Sequence, residues 1–246
     1  MDTGLKGKVA LVAGASRNMG RYAALAFARE GVNLAICTSA RMKELNEVAE
    51  EARKLGVKVL ADKCDITDGK AVETFVKKAR SELGGVDIAV TLAGFRAESP
   101  FLKGDFEEWT RNIAVNLTGP YHVCRHTIPL MMERRWGRII NFSGIAPYMG
   151  SSAAKATVKL GIVGFTRGIA REFAEHGITA NCLGPGTIGR GERDDSESVK
   201  EIRPGQPIRR KGRPDEVTSL MVHLASESAG FITGQCYLVN GGAYMQ

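Results

Sequence analysis

The sequence predicts an α/β fold: a single doubly wound parallel sheet of about seven strands with helices on both faces. Three observations predict it. Apolar runs of strand length alternate with stretches of helical period along the chain. The strand runs lack apolar/polar alternation, so both faces of the sheet are covered. A glycine-bearing turn, Gly14-Ala-Ser-Arg-Asn18-Met-Gly20, stands between the first strand and the first helix. Sheets of this kind bind ligands past the carboxyl ends of their strands.

The elements follow in order. Lys8–Ala13 is an apolar strand run, and Met19–Arg29 has helical period. Val32–Cys37 is a strand, Met42–Leu55 a helix, Val57–Ala61 a strand and Lys70–Leu83 a helix. Val86–Thr91 is a strand, followed by helical stretches from Asp105 to Glu133. Arg138–Ser143 is a strand and Ala153–His176 a long helix whose face Val158, Ile162, Phe165, Ile169, Phe173 belongs to the core. Ile178–Leu183, the helix Asp215–Ala225 and the strand Cys236–Val239 complete the set. Between them, Gly184–Pro214 is rich in Gly, Pro and charge, and residues 187–213 are expected to form a substrate lid.

Composition narrows the class. The chain has 246 residues, 25% charged and 43% hydrophobic, which suits one domain spanning 1–246. No apolar run approaches the ~20 residues of a membrane helix. The first apolar run, Val9–Ala13, is too short for a signal peptide. The five Cys, at 37, 64, 124, 182 and 236, are far apart in sequence and form no CxxC pair, so a cytoplasmic protein is expected. The four His show no ligand spacing, and no metal is expected. The net charge is +7. Its clusters, Arg134, Arg135, Arg138 and Arg209, Arg210, Lys211, Arg213, sit beside Gly or Pro and read as solvated loops. No recognition motif accompanies them, so no nucleic-acid partner is expected, and an anionic cofactor or substrate is the simpler use of the charge.

The first turn has the form of a phosphate cradle. A phosphate there meets free backbone N–H groups and the positive end of a helix, and glycines let the backbone come close. Further along stand Asp65-Ile-Thr, Ala93-Gly94, Val115-Asn116-Leu, Asn181-Cys-Leu-Gly-Pro185-Gly186-Thr-Ile188 and Ile232-Thr-Gly-Gln-Cys-Tyr-Leu-Val-Asn-Gly-Gly242. In this order and spacing they resemble the short-chain dehydrogenase/reductase family, with its Rossmann-type fold, and 3-oxoacyl-carrier-protein reductases in particular. The resemblance runs from about residue 6 to 243. That family usually shows TGxxxGxG in the first turn; here Ala13 replaces the Thr and Asn18 the middle Gly. Asn tolerates left-handed backbone, so the turn survives. Thr91 and Leu92 replace two Asn of the family's Asn-Asn-Ala-Gly.

The resemblance implies a nicotinamide cofactor held by Gly14, Ser16, Arg17, Asn18, Met19 and Gly20, with Asp65 and Ile66 at the adenine. Ala93 and Gly94 would line the cofactor, and Pro185, Gly186 and Ile188 would meet the nicotinamide. The second strand ends without an acidic residue to repel a 2′-phosphate. Thr38, Ser39 and Arg41, with Arg17, offer donors to that phosphate, which favours NADP(H) over NAD(H).

The family reduces carbonyls with hydride from the nicotinamide and a proton from a Tyr; a Ser orients the carbonyl, and a Lys four residues after the Tyr holds the ribose. Ser143 stands at the expected strand end, Asn116 matches the active-site Asn, and Lys159 opens a helix like the one beginning at the family's Lys. Lys155 then occupies the Tyr position. Three alternatives follow. Lys155 is the acid: Lys159 at i+4 repels it, and repulsion and burial both favour the neutral amine. Or Tyr148 reaches in, since Tyr148 and Lys155 have the Tyr-x6-Lys spacing of enoyl-carrier-protein reductases. Dienoyl-CoA reductases also lack the usual Tyr. Or the chain is a catalytically silent NADP(H)-binding sensor or partner. A register with Ser151 at the Tyr position would leave the helix a turn too long. Arg96, Arg190, Arg193 and Lys155 suggest an anionic small-molecule substrate. Family members are mostly homotetramers or dimers, through helices near 105–134 and 153–176 and the last strand.

Overall fold

The architecture follows from strands whose two faces are both apolar. The computed structural model describes residues 2–189, 202 and 205–245. In β1 (Val9–Ala13) every residue is buried. Ala10 and Val12 pack into one core, while Leu11 and Ala13 pack into the other. Successive side chains on a strand point to opposite faces, so each face carries its own helical layer.

The chain continues through α1 (Asn18–Arg29), β2 (Asn33–Thr38), α2 (Met42–Lys54), β3 (Val59–Lys63), α3 (Gly69–Leu83) and β4 (Ile88–Thr91). Then come α4 (Phe106–Ile113), a π-helical turn at Ala114–Thr118, α5 (Gly119–Arg134) and β5 (Gly137–Phe142). The last elements are α6 (Ala153–Phe173), β6 (Ile178–Pro185), α7 (Pro214–Ala225) and β7 (Cys236–Val239). All seven strands are parallel, in the order β3-β2-β1-β4-β5-β6-β7. Strand order reverses between β1 and β4, which opens the cleft above that point. Helices α1, α2 and α7 cover one face; α3, α5 and α6 cover the other. The expected doubly wound single domain is thus the observed one, and the long face of α6 from Val158 to Phe173 lies against the core.

Local signals set the element ends. Asp68 caps α3 by accepting from the N–H groups of Lys70 and Ala71, and Gly84 closes it at φ +93°. Among the described residues, no helix is long and apolar enough to cross a membrane. The two ends of the expected lid meet: Gly212 donates to Thr187 O at 3.0 Å, and Gly189 donates to Gly212 O at 2.9 Å. Residues 190–201, 203 and 204 of that segment lie outside the described residues.

The basic clusters are not all solvated loops. Arg138 lies in β5, is buried, and donates to the carbonyls of Gly137, Gly177 and Ser226 while stacking on Trp136 at 4.3 Å. Arg134 pairs with the buried carboxylate of Asp87, which also accepts from Val9 N. Lys211 is buried, and Arg210 forks onto Glu216 at 2.6 and 2.8 Å. Strand-end carbonyls and carboxylates recruit these cations, because a buried acceptor left unpaired is costly.

Candidate active site

The cleft begins at the turn after β1. Gly14 sits at φ +84°, and a Cβ there would lie 2.6 Å from Ala93 N. A Cβ on Gly20 would lie 2.0 Å from Gly14 O. Glycine is therefore required at both positions for the turn to nest against the end of β4. Asn18 has φ +46°, the left-handed conformation for which Asn is suited. Arg17 is the N-cap of α1 and makes no side-chain cap bond, so N–H groups of the first turn remain for an anion. Met19 packs partly on the core behind them.

Around this cradle, Ser16 and Thr38 are buried with their hydroxyls 3.4 Å apart. Ser39 and Arg17 are exposed. Arg41 pairs with Glu44 at 3.1 Å, both about half exposed, so its guanidinium is held near the end of β2 by a weak bond. Asp65 folds onto its own loop, accepting from Thr67 N at 2.9 Å and Thr67 Oγ at 2.8 Å. Ile66 is buried against Gly119, where a Cβ would come within 2.5 Å of it. This arrangement fits a dinucleotide: an uncapped helix end for phosphate, a backbone that only glycine allows to approach, and no carboxylate at the end of β2.

The other half is organised by α6. Ser152 caps that helix, accepting from Lys155 N at 3.4 Å. Lys155 and Lys159 stand on successive turns. The Lys159 ammonium is partly buried and donates to Phe142 O at 3.1 Å. Burial lowers its pKa below the usual lysine value, and the charge of Arg96 adds to this. Lys155 is half-buried, within electrostatic reach of Glu108. The Glu108 carboxyl lies below its usual range, first through the Glu98 N–H and last through the Lys155 charge.

Ser143 follows β5 and is buried, with its hydroxyl donating to Lys159 O at 3.0 Å and Gly144 O at 3.2 Å. In this geometry it ties the strand end to the turn that carries Lys159. Tyr148 lies in the loop before α6, where its hydroxyl donates to Cys236 Sγ at 3.5 Å and its ring stacks on Tyr244 at 5.4 Å. Burial and then Cys236 raise its pKa above the usual tyrosine value. Ser151 lies just before the N-cap of the helix.

Asn116 sits in the π-helical turn. Its amide donates to Phe95 O at 2.8 Å, Asn112 O at 2.9 Å and Asn112 Oδ1 at 3.0 Å. A Cβ on Gly94 would lie 3.6 Å from Asn116 Oδ1, so Gly94 joins this group to the nucleotide end. Asn112 was not singled out from the sequence. It is fully buried and donates to Ala154 O at 2.8 Å, just before Lys155. A polar residue one helical turn before Asn116 was the only available signal. A second buried chain also escaped notice: Thr91 Oγ1 donates to Asn141 Oδ1 at 2.6 Å, and Asn141 Nδ2 donates to Thr166 Oγ1 at 2.9 Å. It links β4, β5 and α6 where Thr91 replaces an amide of the family pattern.

Pro185 ends β6, and Gly186 donates to Val239 O at 2.9 Å, with no room for a Cβ beside Asn240. Ile188 bridges to Gly212. Arg96 is exposed and close enough to act on Lys159. Arg190 and Arg193 lie outside the described residues. Among those described, no three His, Cys, Asp or Glu side chains gather as metal ligands.

A parallel sheet with an uncapped helix end at its reversal point, and two lysines on successive turns at the start of α6, defines a doubly wound α/β protein with a polar cleft at the carboxyl ends of its strands. Comparisons with known proteins agree with that class. Residues 14–244 match the family model described as Enoyl-(Acyl carrier protein) reductase. The 3-oxoacyl-[acyl-carrier-protein] reductase FabG of Staphylococcus aureus (strain Mu50 / ATCC 700699) is 35% identical over 242 residues, covering 97% of this chain and 98% of its own. Nodulation protein G of Azospirillum brasilense is 34% identical, covering 97% and 99%. The crystal structure of a short-chain type dehydrogenase/reductase from Mycobacterium marinum superposes with TM-score 0.89 at 31% identity, covering 98% of this chain and 97% of that one. The chain therefore belongs to the short-chain dehydrogenase/reductase family of oxidoreductases.

Proposed function

We propose that the chain is an NADP(H)-dependent oxidoreductase that interconverts a carbonyl compound and its alcohol, with Lys155 as the proton donor. One observation carries this reading: Lys155 and Lys159 occupy successive turns at the start of α6, and Lys159 is anchored on Phe142 O. When bound, a nicotinamide dinucleotide supplies or takes up the hydride. The remaining work falls to the chain. The turn Gly14–Gly20 binds phosphate, and Lys159 with the Asn116 region holds the ribose side. Lys155 gives a proton to the substrate oxygen in reduction and takes it back in oxidation. Ser143 and Asn112 fix the turns that present the two lysines. The absent acid at the end of β2, with Arg17 and Arg41 beside it, supports NADP(H) over NAD(H). Arg96 and Lys155 suit an anionic substrate.

Tyr148 has its hydroxyl on Cys236, which weighs against the enoyl-type arrangement. The engagement of the Ser143 hydroxyl with Lys159 O favours one other reading, an NADP(H)-binding protein without turnover. Exposed Phe106, Tyr121 and Leu160 on α4, α5 and α6 support a homo-oligomer formed through those helices. Five free thiols suit a reducing, cytoplasmic setting. The test is incubation with NADPH and a panel of ketones, aldehydes and enoyl thioesters, followed at 340 nm beside a binding titration. Carbonyl reduction is the expected result. Binding without turnover of any compound overturns the catalytic reading, and turnover of enoyl thioesters alone overturns the choice of carbonyl.

A further inference from the structure

Four of the five cysteines, separated by tens of residues in the sequence, are brought into two pairs by the fold. Cys182 and Cys236 are Cα partners on the neighbouring parallel strands β6 and β7. Paired residues on adjacent strands project to the same face, and the ~4.8 Å between strands lies within the Cα separations that disulfides span. Cys182 is fully buried beside Ile162 and Val163, whereas Cys236 is partly exposed. The Cys182 thiol donates to Leu183 O at 3.9 Å, and the Tyr148 hydroxyl reaches Cys236 Sγ at 3.5 Å.

We propose that Cys236 and Cys182 form a peroxide-reactive dithiol, with Cys236 the attacking sulfur and Cys182 the resolving one. The asymmetry of the pair assigns the roles. Cys236 is partly exposed in the single chain, and the neighbouring Cys182 thiol, the Tyr148 hydroxyl and the charge of Arg167 favour its thiolate. Cys182, across the strand pair from that sulfur and buried, keeps its proton. The Cys236 thiolate attacks hydrogen peroxide, the O–O bond breaks, and the sulfur becomes a sulfenic acid while hydroxide leaves and is protonated to water. The Cys182 sulfur then attacks the sulfenic sulfur; the S–O bond breaks, the S–S bond forms, and a second water departs with the Cys182 proton. Two thiols lose two electrons, and one peroxide becomes two waters. The second gathered pair, Cys37 and Cys64, lacks this access, because both are buried.

The disulfide would remove the Tyr148 hydroxyl's thiolate acceptor. Tyr148 belongs to the loop that leads into the turn bearing Lys155, so the oxidation reports to the cleft. The proposal itself does not depend on any turnover by the protein.

The full chain is treated with about a fivefold excess of hydrogen peroxide, alkylated, digested without reductant and mapped by mass spectrometry. The expected result is a crosslink between the peptides holding Cys182 and Cys236, loss of two of the five thiols, and full reversal by dithiothreitol. Iodoacetamide should label Cys236 at least tenfold faster than the other four in the untreated protein. Cys182→Ala should leave Cys236 trapped as sulfenic or sulfinic acid without a crosslink. Because Cys182 is buried, the mapping of the unaltered chain decides the matter if that variant misfolds. A Cys236 that stays reduced, or a crosslink forming equally fast at Cys37 and Cys64, overturns the proposal.

Discussion

Replacing Gly14 by Ala tests how the turn and the end of β4 are held together. Gly14 and Gly56 share nearly the same backbone, at φ +84° and +87°. They differ in space: a Cβ on Gly14 would meet Ala93 N at 2.6 Å, whereas nothing lies within 4 Å of one on Gly56. Gly56→Ala therefore carries only the left-handed backbone cost of ~1–2 kcal/mol, reduced by the stiffer unfolded chain to about 1 kcal/mol. Gly14→Ala carries the same cost plus overpacking of ~1–3 kcal/mol, because the nearest atoms are backbone and cannot swing away. The expected difference between the variants is about 2 kcal/mol, read from urea midpoints at constant slope. NADPH affinity should fall in Gly14→Ala and stay unchanged in Gly56→Ala. Equal destabilisation by the two substitutions would refute the close-contact argument.

Other consequences are open to measurement. NADPH should bind at least about tenfold tighter than NADH, the ~1.4 kcal/mol of one charge-assisted contact. Arg41→Ala or Arg17→Ala should narrow that gap in a titration, and equal affinities in the unaltered chain would sink the cofactor assignment. Glu216 is lowered to about 2 from 4.5, chiefly by Arg210. A depressed carboxyl adds stability that is present above about pH 4.5 and lost as pH falls toward 2. Since the pair is 41% and 30% exposed, solvent screening holds its worth to about 1 kcal/mol. Glu216→Gln should thus lower stability at pH 7 and leave it nearly unaltered near pH 2; an equal loss at both would contradict the ion-pair origin.

The fold was legible because its signals are local and repeated. The unalternating runs in β1, β2 and β4 mark a sheet covered on both faces, and Gly14 and Gly20 mark the turn between strand and helix. Within the cleft, spacing along one element is the readable signal, as it sets Lys155 and Lys159 on successive turns of α6. Contacts between distant elements left little trace. Asn112 reaches Ala154 across two helices, and Thr91 meets Asn141 across two strands. Cys182 and Cys236 look scattered until β6 and β7 pair. Arg138 looks like a loop charge until the carbonyls of Gly177 and Ser226 close around it. Ser143 marks the strand end correctly, but the direction of its hydroxyl depends on how α6 packs, which no pattern within the strand encodes.

The division of labour between the two lysines is tested most directly by Lys155→Met, assayed for both turnover and NADPH affinity, with Lys159→Met beside it. Loss of a general acid removes about 10²–10⁴ in rate. The account predicts that Lys155→Met loses at least about a hundredfold in turnover while its NADPH affinity stays within about twofold, whereas Lys159→Met weakens NADPH binding. A Lys155→Met protein that turns over at the unaltered rate would contradict it.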